Sequence, residues 1–471
     1  MTSSTRFTVR VALIVALGGF LMGFDASVIS GVVGFIGPEF ELTNIQVGWA
    51  VASLTLTSTL AMMMAGPVSD RFGRRPVLKV AALLFAISAI ASAIAPDYIT
   101  LVAARMLGGF GVGAALIIAP MYIAEIAPAD IRGRMVSFNQ LNIVIGISVA
   151  YFSNFLILNL GQSDLNWAQS LHMGEWGWRW MLGVEALPAI VYFFALFSVP
   201  ESPRWLIMRG KAEEALQIFT RVSGKSKAEA DIKLVTDSLD AEAHLEKGSL
   251  KELFLPAMRL VLTIGIVIAI LQQITGINSV FFYAPMIFEQ SGIGTDAAFM
   301  QAVLVGIVNL VATVVAILLI DKLGRRPLMI SGLVIIATSM LLLAYSFGSA
   351  STSPTGELVG MNPTLILIGI LSFVAGFGIS LGPVMWVLFS ELFPNRIRGI
   401  AISFCGLINS SVSFIVQLVF PWELENFGPS TTFLIYGSFA IIGLIFVMRI
   451  LPETKGRSLE ELEAELVTKK L

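Results

Sequence analysis

The sequence predicts an all-α integral membrane protein with twelve transmembrane helices in two related six-helix halves. Three observations carry this prediction. The composition is strongly apolar, lysine and arginine occur in alternate loops, and two charged motifs occur once in each half of the chain.

The composition requires an apolar solvent around the chain. Of its 471 residues, 56% are hydrophobic and only 13% are charged, and the mean hydropathy is +0.85. A soluble globular chain carries about 25% charged residues. The net charge of -2 gives no basic field that would attract nucleic acid. The single cysteine, Cys405, excludes a disulfide within the chain, and we expect no metal ion and no cofactor.

Twelve apolar segments are long enough to cross a bilayer, which takes about 20 residues for about 30 Å of hydrocarbon. They lie near 11–35, 46–68, 77–95, 98–122, 136–160, 180–199, 257–289, 297–320, 327–348, 363–389, 400–420 and 431–451. This predicts an N-terminal half over 1–199, a cytoplasmic helical insert over 200–256, a C-terminal half over 257–452 and a cytoplasmic tail over 453–471.

Lysine and arginine predict how the segments are oriented. Neither residue occurs in the loops near 37–45, 96–97, 161–177, 290–296, 349–362 and 421–430, whereas the alternate loops and both termini contain them. Loops rich in these residues face the cytoplasm. We therefore expect both termini in the cytoplasm of a multi-pass protein of the plasma membrane, which is the inner membrane in a bacterium.

Two charged motifs repeat between the halves. DRFGRRP begins at Asp70 and DKLGRRP at Asp321, while EIAPADIRG begins at Glu125 and ELFPNRIRG at Glu391. Parallel six-helix repeats are the architecture of the major facilitator superfamily. The acidic and basic groups can form ion pairs between helix ends, and such pairs can latch the two halves when the cytoplasmic side is shut. The candidate gating residues are Asp70, Arg74, Glu125, Arg132, Asp321, Arg325, Glu391 and Arg398.

The alternative explanation of these motifs is membrane orientation alone, for which the arginines would suffice. Orientation does not explain the acidic residue at both sites, so the latch is favoured. Whether Glu391 pairs directly with Arg398 stays open at this point.

Three ionisable residues lie inside apolar segments: Asp25, Arg105 and Glu185. A charge at the centre of a lone helix costs about 2.5–3.5 kcal/mol on insertion scales, so such residues usually face a cavity or a partner. At about 1.5 Å per residue, Asp25 is roughly 21 Å from the cytoplasmic face and Arg105 roughly 12 Å from the opposite face. An Asp25–Arg105 pair is therefore possible, with Glu185 in the same layer. Glu185 could instead be a structural hydrogen-bond acceptor.

Neutral polar residues cluster in the C-terminal half. The seventh segment carries Gln272, Gln273 and Asn278 around Gly276, which suggests an interrupted helix that lines a cavity. Amides donate and accept hydrogen bonds, which suits a neutral polyhydroxyl ligand. An anionic ligand would favour more buried cations than Arg105 alone. Further polar residues inside apolar segments are Gln140, Asn142, Trp386, Asn409 and Ser410.

The chain resembles the sugar porter family of the major facilitator superfamily from Gly18 to about Glu461. The matching strings are GFDASVISG (23–31), DRFGRRP (70–76), PMYIAEIAP (120–128), PESPRWL (200–206), QQITGIN (272–278), GPVMWVLFSELFP (382–394) and PETKGRSLEE (452–461). Together these strings are highly specific. Within the family they are most similar to the bacterial proton-coupled xylose symporters.

The resemblance implies a role for individual residues. Residues that match sugar-contacting positions are Gln140, Gln272, Gln273, Asn278, Phe377, Trp386 and Asn409. Asp25 matches the aspartate of proton coupling, Arg105 its arginine partner, and Glu185 a glutamate near that pair. Phe282, Met22 and Asn409 replace the tyrosine, phenylalanine and glutamine of the xylose symporters, which leaves the identity of the sugar open.

These residues imply a secondary transporter of a monosaccharide, coupled to protons, that works by alternating access as a monomer in the lipid bilayer. An uncoupled sugar uniporter is the first alternative, and a non-transporting sugar sensor is the second. An ATP-driven pump is disfavoured, because Gly224-Lys225-Ser226 lacks the earlier glycine of a phosphate-binding loop. GFGVGA at 109–114 fits a loose dinucleotide pattern, but inside a membrane segment close helix packing is the better interpretation.

Overall fold

The computed structural model describes residues 3–128, 131–244, 249–349, 351–352, 358–359, 361–394, 396–457 and 461–462. Within these ranges twelve helical segments are long and apolar enough to cross a membrane, which confirms the predicted fold class. Most of the predicted tail over 453–471 lies outside what is described.

The α-helices of the first part of the chain are α1 (Ser3–Val28), α2 (Val33–Glu39), α3 (Asn44–Phe72), α4 (Arg74–Ala93), α5 (Tyr98–Ile126), α6 (Arg132–Gly161), α7 (Asn166–Ser170), α8 (Gly177–Gly183), α9 (Ala186–Ala195), α10 (Pro203–Met208), α11 (Ala212–Ser223) and α12 (Lys225–His244). Those of the second part are α13 (Arg259–Ile274), α14 (Ile277–Glu289), α15 (Thr295–Leu323), α16 (Arg325–Gly348), α17 (Pro363–Ile379), α18 (Leu381–Leu392), α19 (Arg398–Asn426) and α20 (Gly428–Ile450). Short 3-10 turns cover Ile29–Gly31, Leu196–Ser198, Leu250–Phe254 and Pro256–Met258. Two short antiparallel strands, β1 (Ser351–Thr352) and β2 (Leu358–Val359), pair Ser351 with Val359 and Thr352 with Leu358.

The chain forms two compact units. The first comprises 1–29, 53–153 and 160–246, and the second comprises 30–52, 154–159 and 247–471. The predicted division into two halves and a separate insert stays a prediction, since these units assign α11 and α12 to the first unit and the stretch over 30–52 to the second.

The internal repeat is visible in the backbone. Gly73 separates α3 from α4 with a φ of 103°, and Gly324 separates α15 from α16 with a φ of 94°. This left-handed conformation is open to glycine and strained for other residues. The same sharp turn therefore follows the same motif in both units.

In the first unit, glycine brings helix backbones into contact. A Cβ on Gly109 would lie 2.4 Å from the carbonyl oxygen of Leu54, and one on Gly113 would lie 2.2 Å from that of Ser58. The GFGVGA string thus packs α5 closely against α3, as expected for small residues between membrane helices.

At one end of α4 and α5, polar groups satisfy the helix termini. The Asp97 carboxylate accepts a hydrogen bond from the N–H of Thr100, which lowers the pKa of that carboxyl. Arg179 donates to the carbonyl oxygens of Ala93 and Ala95 at the end of α4. A cation at a helix C-terminus is favourable, so an arginine can lie on the side where basic residues are otherwise scarce.

Membrane segments are broken at several places among the described residues. The seventh breaks between α13 and α14, where Gly276 is left-handed with a φ of 91°, which confirms the predicted interruption. The tenth breaks at Ser380, and the sixth breaks at Val184–Glu185. The sequence interpretation missed the breaks at Ser380 and at Val184–Glu185. Both breaks lie beside polar side chains of the candidate sites.

Candidate functional site

The first unit buries an acid–base site of Asp25, Arg105 and Glu185. Asp25 on α1 and Arg105 on α5 are each 2% exposed, and Arg105 Nη1 lies 3.0 Å from Asp25 Oδ1. Glu185, 3% exposed at the break between α8 and α9, lies within electrostatic range of both. The predicted pair therefore forms, with Glu185 beside it.

The acid–base site has unused hydrogen-bonding capacity. Asp25 Oδ2, Arg105 Nε and Glu185 Oε1 are buried without a hydrogen-bond partner among the described residues. Native structures leave few such groups, and each one suggests a functional role or a missing partner. Gly108 makes room for this arrangement, because a Cβ there would lie 2.8 Å from Asp25 Oδ2 and 2.5 Å from Ser88 Oγ.

The second unit contains an amide cluster of Gln272, Gln273, Asn278, Asn409 and Ser413. The break at Gly276 places the two glutamines at the end of α13 and Asn278 at the start of α14. Asn409 and Ser413 lie one turn apart on α19. Gln272, Gln273 and Asn409 are 5%, 8% and 7% exposed, so these amides are withdrawn from bulk water.

The amide cluster is a closed hydrogen-bond network. Asn409 Nδ2 donates to Gln272 Oε1 at 2.7 Å, and Gln273 Nε2 donates to Asn409 Oδ1 at 3.2 Å. Asn278 Nδ2 donates to Gln273 Oε1 at 2.7 Å and to Ser413 Oγ at 2.6 Å. Gln272 Nε2 also donates to the carbonyl oxygen of Leu381 just after the break at Ser380, at 3.1 Å. A polar ligand would exchange bonds with this network.

The remaining predicted ligand contacts are less enclosed. Trp386 is 47% exposed and meets the ring of Phe389 edge-on with centroids 5.9 Å apart. Phe377 lies half-buried beside Gly382, at the break between α17 and α18. Gln140, which belongs to the first unit, is exposed on α6.

The first unit also holds an N-terminal charge cluster, defined by Asp70, Arg74, Glu125, Glu201 and Ser202. Arg74 lies 2.7 Å from Asp70 and 2.9 Å from Glu125. Ser202 donates to Glu125, and Glu201 accepts the N–H of Arg74 at 3.0 Å. Burial raises the pKa of the Glu201 carboxyl, although the backbone N–H groups that it accepts act in the opposite direction.

The second unit repeats this arrangement as a C-terminal charge cluster of Asp321, Arg325, Glu391, Glu453 and Thr454. Arg325 lies 3.3 Å from Asp321 and 2.7 Å from Glu391. Thr454 donates to Glu391 at 2.6 Å, and Glu453 accepts the N–H of Arg325 at 3.0 Å. The duplication therefore extends to the partners of each charge.

The direct Glu391–Arg398 pair that the sequence left open does not form. Glu391 pairs with Arg325, while Arg398 donates to the carbonyl oxygen of Phe393. Likewise, Glu125 pairs with Arg74, while Arg132 donates to the carbonyl oxygen of Ala127. Arg132 and Arg398 thus each cap their own loop and do not pair with the glutamate seven residues before them.

Comparison with known proteins places this geometry in a family. A family model described as "Sugar (and other) transporter" matches residues 11–466. The chain belongs to this sugar transporter family. It is an integral membrane transporter and not an enzyme, and the resemblance inferred from its motifs is confirmed.

Similar proteins include two named symporters. The arabinose-proton symporter of Bacillus subtilis is 39% identical over 460 residues, which cover 98% of this chain and 95% of that protein. The D-xylose-proton symporter of Escherichia coli K12 is 38% identical over 493 residues, which cover 98% and 96%. A structure of the xylose transporter XylE from E. coli, in a partially occluded inward-open conformation, superposes with a TM-score of 0.80 at 36% identity and covers 96% of this chain and 100% of that one.

Sequence interpretation of this sugar transporter chain missed four members of the charge clusters. Glu201 and Ser202 follow Pro200, and Glu453 and Thr454 follow Pro452. The recurrence of Pro-Glu followed by a hydroxyl residue after the sixth and twelfth segments was the available signal. The break at Ser380 had a signal as well, in the string GFGISLGP at 376–383. No group of three or more His, Cys, Asp or Glu placed to hold a metal ion occurs in the part of the chain that is described.

Proposed function

We propose that the chain is a proton-coupled monosaccharide symporter of the bacterial plasma membrane, with both termini in the cytoplasm, that acts as a monomer by alternating access. The observation that carries this proposal is the buried Asp25–Arg105 pair. Asp25 is a protonatable group in this pair, and its Oδ2 atom has no hydrogen-bond partner among the described residues. The names of the two similar symporters support the substrate class and the coupling ion.

The amide cluster is the proposed sugar site. Gln272, Gln273, Asn278 and Asn409 carry both donors and acceptors, and Trp386 presents an exposed aromatic face. Phe377 and Gln140 stay predicted sugar contacts. No lysine or arginine takes part in the amide network among the described residues, which favours a neutral ligand.

The acid–base site is the proposed coupling site. Ionised Asp25 pairs with Arg105, and a proton on Asp25 weakens the attraction between α1 and α5 at this level, while Arg105 keeps its longer bonds to the backbone carbonyl oxygen of Asp25. Glu185 is then the nearby carboxylate with which Arg105 can interact. Protonation thus changes the contacts between helices, and a change in relative stability of two conformations is what coupling requires.

The charge clusters are the proposed cytoplasmic gate. Each joins the ends of helices that are far apart in sequence through an arginine with two acidic partners. Asp70, Arg74, Glu125, Asp321, Arg325 and Glu391 are the gating residues of this proposal, while Arg132 and Arg398 shape the adjoining loops.

The energetics of symport set a scale for the test. One proton driven by 100 mV contributes about 2.3 kcal/mol, which corresponds to roughly a 50-fold sugar gradient before any pH gradient. The purified chain in vesicles should take up protons when D-xylose or L-arabinose is added. Asp25→Asn should abolish accumulation while it spares sugar binding and exchange.

An uncoupled uniporter is the alternative. If the wild type moves sugar with no change of internal pH, and a protonophore leaves its accumulation untouched, then the uniporter replaces the symporter. If none of a panel of pentoses and hexoses binds or is exchanged, the sugar proposal itself falls.

A further inference from the structure

A cavity of about 330 Å³ lies in the second unit, away from the amide cluster. It is lined by the stretch from Ser30 to Phe35, by the end of α14 and by the start of α15. Glu289 at the end of α14 is eleven residues beyond Asn278, which corresponds to roughly 16 Å along a helix. The cavity is therefore separate from the amides, at the ends of segments whose connecting loops lack lysine and arginine.

Two polar side chains, Ser30 and Glu289, line the cavity. The Ser30 hydroxyl is 1% exposed and has no hydrogen-bond partner among the described residues. Buried hydroxyl groups are nearly always paired, because desolvation without a bond is costly. The half-buried Glu289 carboxylate lies across the cavity and is hydrogen-bonded by Thr295. The Ser30 side chain and the Glu289 carboxylate thus line the same cavity.

Apolar surface completes the lining. The rings of Phe35 and Phe299 lie with centroids 6.3 Å apart and planes at 60° to each other. Pro285 and Met286 add further apolar surface. Small-molecule sites combine such surfaces with a few convergent polar groups, and their volumes begin near 300 Å³.

The dimensions and charge select the ligand class. Among the described residues no lysine or arginine lines the cavity, which disfavours an anion. A bare cation would need several oxygens at bonding distance, and a cavity of about 330 Å³ with one carboxylate is too wide for that. A monosaccharide offers hydroxyl groups to Glu289 and Ser30 and an apolar face to the phenylalanine rings.

We propose that this cavity is a second, peripheral monosaccharide subsite, distinct from the amide cluster. The proposal rests on the proposed function, and under the proposed orientation the subsite lies at the outer side of the membrane. Sugar held there is bound before it reaches the amides.

The test separates the two sites. In full-length protein carrying Gln272→Ala and Asn409→Ala, D-xylose at millimolar concentration should still give saturation-transfer NMR signals. Adding Gly34→Val should reduce those signals at least about fivefold, a change of about 1 kcal/mol. A Cβ at Gly34 has Glu289 Oε2 as its only neighbour within 4 Å, at 3.9 Å, so the new side chain grows into the cavity.

The matched control is Gly37→Val on the same short helix. A Cβ at Gly37 contacts only Val47 at 3.8 Å and does not line the cavity, so the signals should persist. Ser30→Ala should weaken them without filling the cavity, and each variant must elute as a single species.

If the wild type binds sugar but the protein with Gln272→Ala and Asn409→Ala gives no NMR signal, the subsite is overturned and the proposed function stays intact. Residual signals equal in the Gly34→Val and Gly37→Val variants would do the same. A loss of sugar signal combined with sodium binding that depends on Glu289 would assign the cavity to a cation instead. A wild type that binds no sugar at either site would remove both proposals together.

Discussion

Gly108→Ala tests whether the geometry of the acid–base site matters for coupling. The added Cβ would lie 2.8 Å from Asp25 Oδ2 and 2.5 Å from Ser88 Oγ, closer than real Cβ contacts allow. Both neighbours are buried, so they cannot swing into solvent. Overpacking of this kind costs about 1–3 kcal/mol, and its relief must displace the carboxylate that pairs with Arg105.

A change of about 1–3 kcal/mol corresponds to a factor of roughly 5–150 in an equilibrium. We therefore expect the sugar accumulation driven by a proton gradient to fall by at least about fivefold, while sugar affinity at the amide cluster is unchanged. The assays are uptake into vesicles and calorimetric sugar binding, with thermal unfolding as a measure of stability.

Two further variants sharpen this test. Gly66→Ala introduces the same methyl group in α3 where nothing lies within 4 Å, so stability and coupling should be retained. Ser88→Ala combined with Gly108→Ala removes the 2.5 Å contact but keeps the contact with Asp25, so part of the loss should remain. If Gly108→Ala behaves like Gly66→Ala in both assays, the carboxylate position has no bearing on coupling.

Three other predictions concern the second unit. Gln272→Ala removes a hydrogen-bond donor and an acceptor from the proposed sugar site and should weaken sugar binding by about 1–3 kcal/mol, measured by calorimetry; unchanged affinity would remove this residue from the site. Glu391→Arg should impair transport more than binding, and uptake should be partly restored by Arg325→Glu but not by Arg398→Glu, since only the first arginine contacts Glu391. Gly276→Ala should lower the thermal unfolding temperature, because a left-handed φ costs about 1–2 kcal/mol and the new Cβ meets the Tyr436 ring at 2.4 Å; an unaltered temperature would argue against this break.

The features that the sequence predicts well are those set by local composition. Twelve apolar segments are recognisable because each must satisfy its own backbone in lipid. The interruption at Gly276 is recognisable because a glycine stands among amides in an apolar run. The Asp25–Arg105 pair could be recognised as possible from the estimated depth of each residue in the membrane, since few partners exist for a charge at that depth.

The features that escaped prediction depend on tertiary contacts. The partner of Glu391 could not be chosen between Arg325 and Arg398, because both lie in loops on the same side and only packing of α16 against α18 decides. The break at Glu185 did have a local signal that was missed, because Pro188 has no N–H to donate to the carbonyl oxygen of Val184 four residues earlier. The closed form of the amide network depends on α19, more than a hundred residues away from Gln272.

The closed network has a consequence for how substrates are told apart. If the amide cluster is the sugar site, as proposed, its amides already satisfy one another and compete with the sugar, so each sugar hydroxyl replaces an existing bond and adds little net affinity. A deoxy analogue opens the same bonds without replacing them all, and leaves an amide stranded in a dry site. For the proposed site we therefore expect strong discrimination between a sugar and its deoxy analogue together with a low net affinity, and a low affinity allows rapid release of the sugar on the other side of the membrane.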